Sequence, residues 1–523
     1  MQFFSLTSIF LFLAFLILLR KWKNSNSPTK KLPPGPWKLP FIGSMHHMAG
    51  GLPHRVLRDL AKKYGPLMHL QLGEVSAVVV TSSEVANQVL KTHDLAFATR
   101  PKLLIDKTMF HCYIMSLLIY FNFIVLFIVI QDFFRHLTIS ILTGEYWRQI
   151  RKICIVEVLS AKNVQSFNSI RHDEVSRLID SIQSSSSSGE PVNFTERFIW
   201  FTSSMTCRST FGQVFKEQDT FIKRIRELIS LTEGLHVADI FPSYKFLHVL
   251  SGAKKNLLDA HRKVDSIVED VINEHKKNLA THKSDDALGG EDLIDVLLRI
   301  RKDQSLHFPI TNDNIKAIIV DMFAGGTETS STIAVWAMVE MMRNPSILAK
   351  AQVEVREAFR DKITFDKVDV EDLKYLKLVI KETMRLHSPL PLLVPRECME
   401  ETIINGYTIP VKTKVMINAW ALGRDPKYWD DAESFKPERF EHCSVDFVGN
   451  NFEFLPFGGG RRVCPGILFG LANIYLPLAQ LLYHFDWKLP TGMEPRDLDL
   501  TESAGITAAR KNYLYLIATP YQP

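Results

Sequence analysis

The sequence predicts a mainly α-helical protein with a minor β-sheet (α+β), tethered by one amino-terminal transmembrane anchor. Three observations lead there. Apolar residues recur at helical spacing in Arg55 to Tyr64, Glu84 to Thr92, Thr311 to Arg343 and Ile467 to Tyr483. Strand-like runs are short and few, Leu67 to Leu72 and Ala77 to Val80 being the clearest. Gln2 to Leu19 carries no charge and is mostly Phe, Leu and Ile, close to the ~20 residues that cross a bilayer core.

The anchor, residues 2–19, is followed at once by Arg20, Lys21 and Lys23, which hold the chain after it in the cytosol. A cleaved signal peptide wants a basic start, a shorter apolar run and a small-residue cleavage site, and none is present. Residues 20–36 form a basic and proline-rich linker. Its end, Leu32-Pro33-Pro34-Gly35-Pro36, is stiff because proline fixes φ, so it reads as a short extended arm. Residues 37–523 then read as one domain, with polar loops at Ser184 to Gly189 and His282 to Gly290.

Charge and cysteine usage exclude several classes. Lys plus Arg number 62 against 57 Asp plus Glu, and the excess of 5 is spread without a basic block, unlike a nucleic-acid-binding surface. The six cysteines form no CxxC pair and no framework spacing, so neither a structural zinc site nor a disulfide scaffold is indicated. Cysteine chemistry must come from a single thiol.

That thiol is Cys464, in Phe454-Leu-Pro-Phe-Gly-Gly-Gly-Arg-Arg-Val-Cys464-Pro-Gly466, ahead of the helical run that starts at Ile467. Pro465 suits the first helical position and would place Cys464 at a helix start, where free N–H groups and the dipole favour an anion. A haem iron needs such an electron-rich axial sulfur. Gly458, Gly459 and Gly460 permit a tight turn against a flat group, and Arg462 can pair with a carboxylate. A phosphate loop is the rival reading of the glycines, but GK[ST] is missing. The stretch Phe457-x-x-Gly460-x-Arg462-x-Cys464-x-Gly466 resembles the haem-binding signature of the cytochrome P450 family at every fixed position.

Other motifs follow in that family's order. Glu382 and Arg385 lie at i, i+3 in Lys-Glu-Thr-Met-Arg, and Arg439 lies in Pro-Glu-Arg-Phe; the resemblance implies a buried network supporting the haem loop. Gly325-Gly-Thr-Glu-Thr-Ser330 interrupts a long apolar helix with two glycines, each costing roughly 1 kcal/mol relative to alanine, and with hydroxyls that compete for carbonyls. It resembles the family's oxygen-binding helix, in which the acid and alcohol, here Glu328 and Thr329, would support proton delivery. Trp147 and Arg151 in Tyr-Trp-Arg-Gln-Ile-Arg, and Arg396 in Val-Pro-Arg, match the family's contacts to haem propionates. Ala317 to Thr327, Pro389 to Val394 and Ser503 to Thr507 correspond to its substrate-recognition segments; they are largely apolar, which favours a substrate held by shape.

The resemblance implies a monooxygenase that uses haem b and O2, with NADPH supplied through a separate, membrane-bound flavoprotein reductase. It implies the endoplasmic reticulum membrane as location, a single-pass anchor in lipid, and a catalytic domain facing the cytosol. Met493 to Glu502 and Leu516 to Tyr521 resemble a plant microsomal branch rich in terpenoid hydroxylases, so hydroxylation of a small apolar terpenoid is expected, with an alkaloid or flavonoid as the alternative substrate. Residues 105–143 depart from the pattern. Ile114 to Ile130 is uncharged and nearly of spanning length, yet a crossing there would divide the haem-binding elements between two compartments. The abrupt edges point to an erroneous coding sequence, and a haem-binding but impaired membrane protein is the functional alternative it raises.

Overall fold

The computed structural model describes residues 31–101, 144–186, 189–212, 217–232, 240–243, 253–280, 291–303, 310–360 and 372–522. The expected anchor, His282 to Gly290 and the irregular 105–143 fall outside these residues.

Numbering helices of nine residues or more, the chain runs α1 (Pro53–Tyr64), β1 (Leu67–Leu72), β2 (Val75–Val80), α2 (Glu145–Ile153), α3 (Asn168–Ser186), β3 (Val192–Asn193), α4 (Phe194–Phe211), α5 (Gln218–Thr232), α6 (Ala253–Ala280), α7 (Leu293–Asp303) and α8 (Asn312–Gly326). It continues with α9 (Glu328–Arg343), α10 (Pro345–Phe359), α11 (Lys374–Leu386), β4 (Arg396–Glu397), β5 (Thr402–Ile404), β6 (Tyr407–Ile409), β7 (Lys414–Ile417), α12 (Ile467–His484), β8 (Phe485–Lys488) and β9 (Tyr515–Pro520). The mainly helical reading with a minor sheet holds.

The core explains the order of the helices. Every residue from Ser330 to Met342 of α9 is buried, as a helix apolar on all sides must be, and α10, α11 and α12 pack around it. A second cluster joins α4, α5, α6, α7 and α8. Among the described residues one helix, α12, is long and apolar enough to cross a membrane, and most of it is enclosed by the fold.

The largest sheet runs β1-β2-β7-β4, with β2 and β7 parallel and the other pairs antiparallel. Its register matters for the site: Arg396 pairs with Val415, and the neighbouring Glu397 N–H donates to Thr99 O at 2.9 Å, bringing 99–101 beside β4.

Two local expectations change, at the serine run and at Pro465, and the interruption expected within Thr311 to Arg343 is present. The serine run 184–186 is not loop but the last turn of α3, because each hydroxyl donates to a carbonyl three or four residues back, at 2.8 to 3.0 Å. Thr311 to Arg343 is two helices meeting at Thr327, capped at the start by Thr311, whose hydroxyl accepts from Asn314 N–H at 3.2 Å. Helix α12 begins at Ile467 with Gly466 as its cap, so Pro465 is in the preceding turn and not at the first helical position.

Candidate active site

The loop before α12 is shaped by contacts that require its glycines. Gly460 has φ +66°, and a Cβ there would lie 2.1 Å from the carbonyl oxygen of Leu90, so only glycine fits. The Cys464 N–H donates to Phe457 O at 3.0 Å, closing the loop on itself. Phe457 packs edge-on to Phe447. The Gly466 N–H points at Cys464 Sγ from 3.3 Å. Burial pushes the Cys464 thiol up, while that N–H and the Arg151 charge draw it down. Cys154 has a carboxylate, Asp321, added to its burial, and is pushed up to about 12. The sulfur of Cys464 thus has a backbone N–H and a guanidinium charge set against its burial, although α12 starts too late for its own first N–H groups to be the main cause.

Beside the cysteine loop four guanidinium groups converge. Arg151 on α2 donates to Val463 O at 2.6 Å, Arg396 on β4 to Gly459 O at 2.8 Å, and Arg462 to Ala98 O at 2.8 Å. Arg100 donates to Pro395 O at 2.9 Å and also to Val394 O. Burial with mutual repulsion pulls Arg462 down to about 9 and Arg100 well below its ordinary range. Burial lowers Arg396 to about 10 against the opposing pull of Asp94, which sits 3.4 Å away. Trp147 lies under Arg462, ring centre 4.0 Å from the guanidinium carbon, and its buried Nε1 has no hydrogen-bond partner among the described residues.

A buried N–H donor without an acceptor among the described residues, beside clustered cations and a cysteine sulfur that accepts a backbone N–H, fits a flat group that brings carboxylates at its edge and a metal at its centre. Haem b has that chemistry. Arg100 was not singled out from the sequence; its Arg-Pro dipeptide carried no signal, and only the Thr99–Glu397 bridge brings it here.

Glu382 and Arg385, both fully buried, form a network with the partly buried Arg439. Arg385 holds Glu382 by two bonds of 2.7 Å, and Arg439 Nε reaches the same carboxylate at 2.9 Å. Arg385 also donates to Ala432 O and Ser434 O and lies over Trp429, which packs against Phe454 at the start of the cysteine loop.

At the α8–α9 junction, Thr327 Oγ1 donates to Phe323 O at 2.7 Å while its N–H reaches the same carbonyl at only 3.3 Å. Thr329 Oγ1 donates to Gly325 O at 2.6 Å. The side of Gly325 opens on free space. Hydroxyls thus replace part of the backbone ladder and let the helix break. Glu328 Oε1 accepts from Thr507 Oγ1, and Ala508 N–H donates to Pro389 O at 3.0 Å. Thr507 therefore reaches the junction, while the adjoining Ala508 ties the same hairpin to Pro389. The sequence marks Thr507 only as part of 503–507.

The profile of the family described as Cytochrome P450 matches residues 33–117 and 120–517. The chain is 73% identical over 523 residues to a 5-epiaristolochene 1,3-dihydroxylase of Nicotiana tabacum, covering 100% of this chain and 99% of the relative. It is 73% identical over 523 residues to a premnaspirodiene oxygenase of Hyoscyamus muticus, again covering 100% and 99%. A zebra fish cytochrome P450 structure with progesterone superposes with a TM-score of 0.70, covering 90% of this chain and 100% of that one at 23% identity, which speaks to the fold alone.

Proposed function

The chain belongs to the cytochrome P450 family, and we propose that it hydroxylates a small apolar terpenoid, with Cys464 as the axial ligand of the haem iron. As a family member it is a haem-thiolate monooxygenase that takes haem b, O2, an apolar substrate and electrons from NADPH through a reductase. Bound haem supplies the redox centre at which O2 is activated.

The chain's own residues do the holding and the proton work. Cys464 presents its sulfur under the Gly466 N–H, and Trp147, Arg151, Arg396 and Arg462 offer donors to the propionates, joined by Arg100. Phe457, Gly460 and Gly466 shape the loop. Glu382, Arg385 and Arg439 brace it from behind through Trp429 and Phe454. Glu328 and Thr329 carry protons to the reaction from the break between α8 and α9. Convergence of the cysteine sulfur, an indole N–H without a partner among the described residues, and four arginines is the observation that carries this reading.

Apolar recognition segments without a fixed charge support a hydrocarbon-like substrate. The two relatives, named for acting on 5-epiaristolochene and premnaspirodiene, support a terpenoid. Residues 2–19 as a single-pass anchor, 20–36 as linker and 37–523 as the catalytic domain would place that domain on the cytosolic side of the endoplasmic reticulum, beside a membrane-bound reductase.

Two experiments test this. The reduced carbon monoxide complex should show the long-wavelength Soret band of thiolate ligation, and Cys464→Ala should lose it; a band that survives the substitution refutes the ligand assignment. With reductase, NADPH and a terpene panel, Thr329→Ala should keep its haem yet divert electrons into hydrogen peroxide, and Glu328→Gln should slow turnover. Unaltered coupling in both would remove these residues from the mechanism.

A further inference from the structure

The carboxylate of Glu328 takes its hydrogen bond not from the neighbouring Thr329 but from across the fold. Thr329 Oγ1 donates back to Gly325 O at 2.6 Å, whereas Thr507 Oγ1 donates to Glu328 Oε1. Thr507 is buried in a hairpin closed by the Glu502–Arg510 pairing and by Ser503 N–H to Ala509 O at 2.7 Å. The next residue, Ala508, is tied from two directions: its N–H donates to Pro389 O at 3.0 Å, and its carbonyl accepts from Trp336 Nε1 at 2.8 Å. Trp336 belongs to α9, two turns beyond Glu328, and is stacked on His387 at 4.0 Å and 8°. The Thr507 hydroxyl is therefore fixed in the frame of the helix that bears the acid.

A glutamate at the first position of a helix has several side-chain rotamers open to it, and a single fixed donor selects one of them. We propose that Thr507 is a positioning residue for oxygen activation: its hydroxyl holds the Glu328 carboxylate against the C-terminal hairpin, so that the segment meeting the substrate also sets the acid. This rests on the reading of Glu328 as the group that delivers protons. A substrate that shifts the hairpin would shift the carboxylate with it.

The holoenzyme with substitutions T507V, T507S and E328Q provides the test. In infrared difference spectra the Glu328 carboxylate band, identified by its loss in E328Q, should move in T507V and stay in place in T507S. Thr507→Val should lower product formed per NADPH by about fivefold, the factor one ordinary hydrogen bond represents, with the carbon monoxide spectrum unchanged. Thr507→Ser should restore coupling, and T507V should add nothing in the E328Q background. A Glu328 band indifferent to T507V overturns the proposal, as does normal coupling in T507V when E328Q is impaired, or a further loss in the double variant. Normal coupling in E328Q would instead sink the role of Glu328 itself, whatever the band does.

Discussion

Glu382 accepts from the buried Arg385, from the partly buried Arg439 and from the Lys436 N–H at 2.8 Å, and no part of its side chain reaches solvent. Glu382→Gln would keep the shape but leave Arg385 and Arg439 without their charge partner. Removing one partner of a buried pair costs about 3–5 kcal/mol, because the remaining charge stays desolvated. The variant should unfold at distinctly lower urea and retain less haem, although Glu382 is bonded only within the bracing network among the described residues; a midpoint equal to the parent's would show that the network is not supporting the loop. These three residues were legible because two of them share a helix face at i, i+3 and the third stands in a recognisable motif. Arg100 and Thr507 were not, since each acquires its place through pairings across about three hundred and about one hundred and eighty residues of sequence, respectively, that no local pattern encodes.

Between α6 and α7 a polar clip joins elements on either side of 281–290. His275 Nε2 meets Asp292 Oδ2 at 2.9 Å while Nδ1 meets Val271 O at 2.9 Å, so both ring nitrogens face acceptors and the ring is held as imidazolium. Asp292 also caps α7 by accepting from Asp295 N–H, and Gly212 at the end of α4, φ +71°, is where a Cβ would come within 2.7 Å of that carboxylate. Burial pulls His275 down, but Asp292, the Val271 carbonyl and Asp295 outweigh it and raise it to about 9. A raised folded value means the stabilisation is complete below the unfolded value near 6.5 and disappears as pH rises through about 9. Urea stability should fall across that window by up to roughly 3 kcal/mol, the equivalent of the shift, and His275→Gln should flatten the dependence. A slope unchanged in that variant would assign the titration elsewhere. Element boundaries show the same limits of local reading. The strands β1 and β2 and the helix α12 follow from periodicity almost residue for residue, and α8 and α9 part within the glycine–threonine stretch that interrupts the pattern, whereas Pro465, expected at the first helical position, lies in the turn before α12.

Across the whole molecule, the site is assembled from sequence-distant pieces: β4 is placed by β7, the cysteine loop by β4 through Arg396, and α2 by the loop through Arg151. The parallel pairing of β2 with β7 joins residues more than three hundred apart and was invisible to periodicity. This assembly bears on the apolar run within 105–143. Arg100 and Arg151 enter the same cationic cluster, so the chain before 102 and the chain after 143 are parts of one body on one side of any membrane. A single crossing between them is incompatible with that cluster. We propose that 105–143 is foreign to the catalytic domain. Replacing Ile105 to Thr143 with a loop of ordinary family length, in protein lacking residues 2–19, should then raise the yield of detergent-free, haem-loaded protein and preserve the carbon monoxide spectrum, because an uncharged run of this length otherwise seeks a bilayer or another apolar surface. The two proteins would be compared for haem content, detergent dependence and NADPH-driven oxidation of a terpene panel. If the unaltered chain is equally soluble and the more active, Ile114 to Ile130 belongs to the substrate entrance, and its length and apolarity become determinants of which terpenoid the enzyme admits.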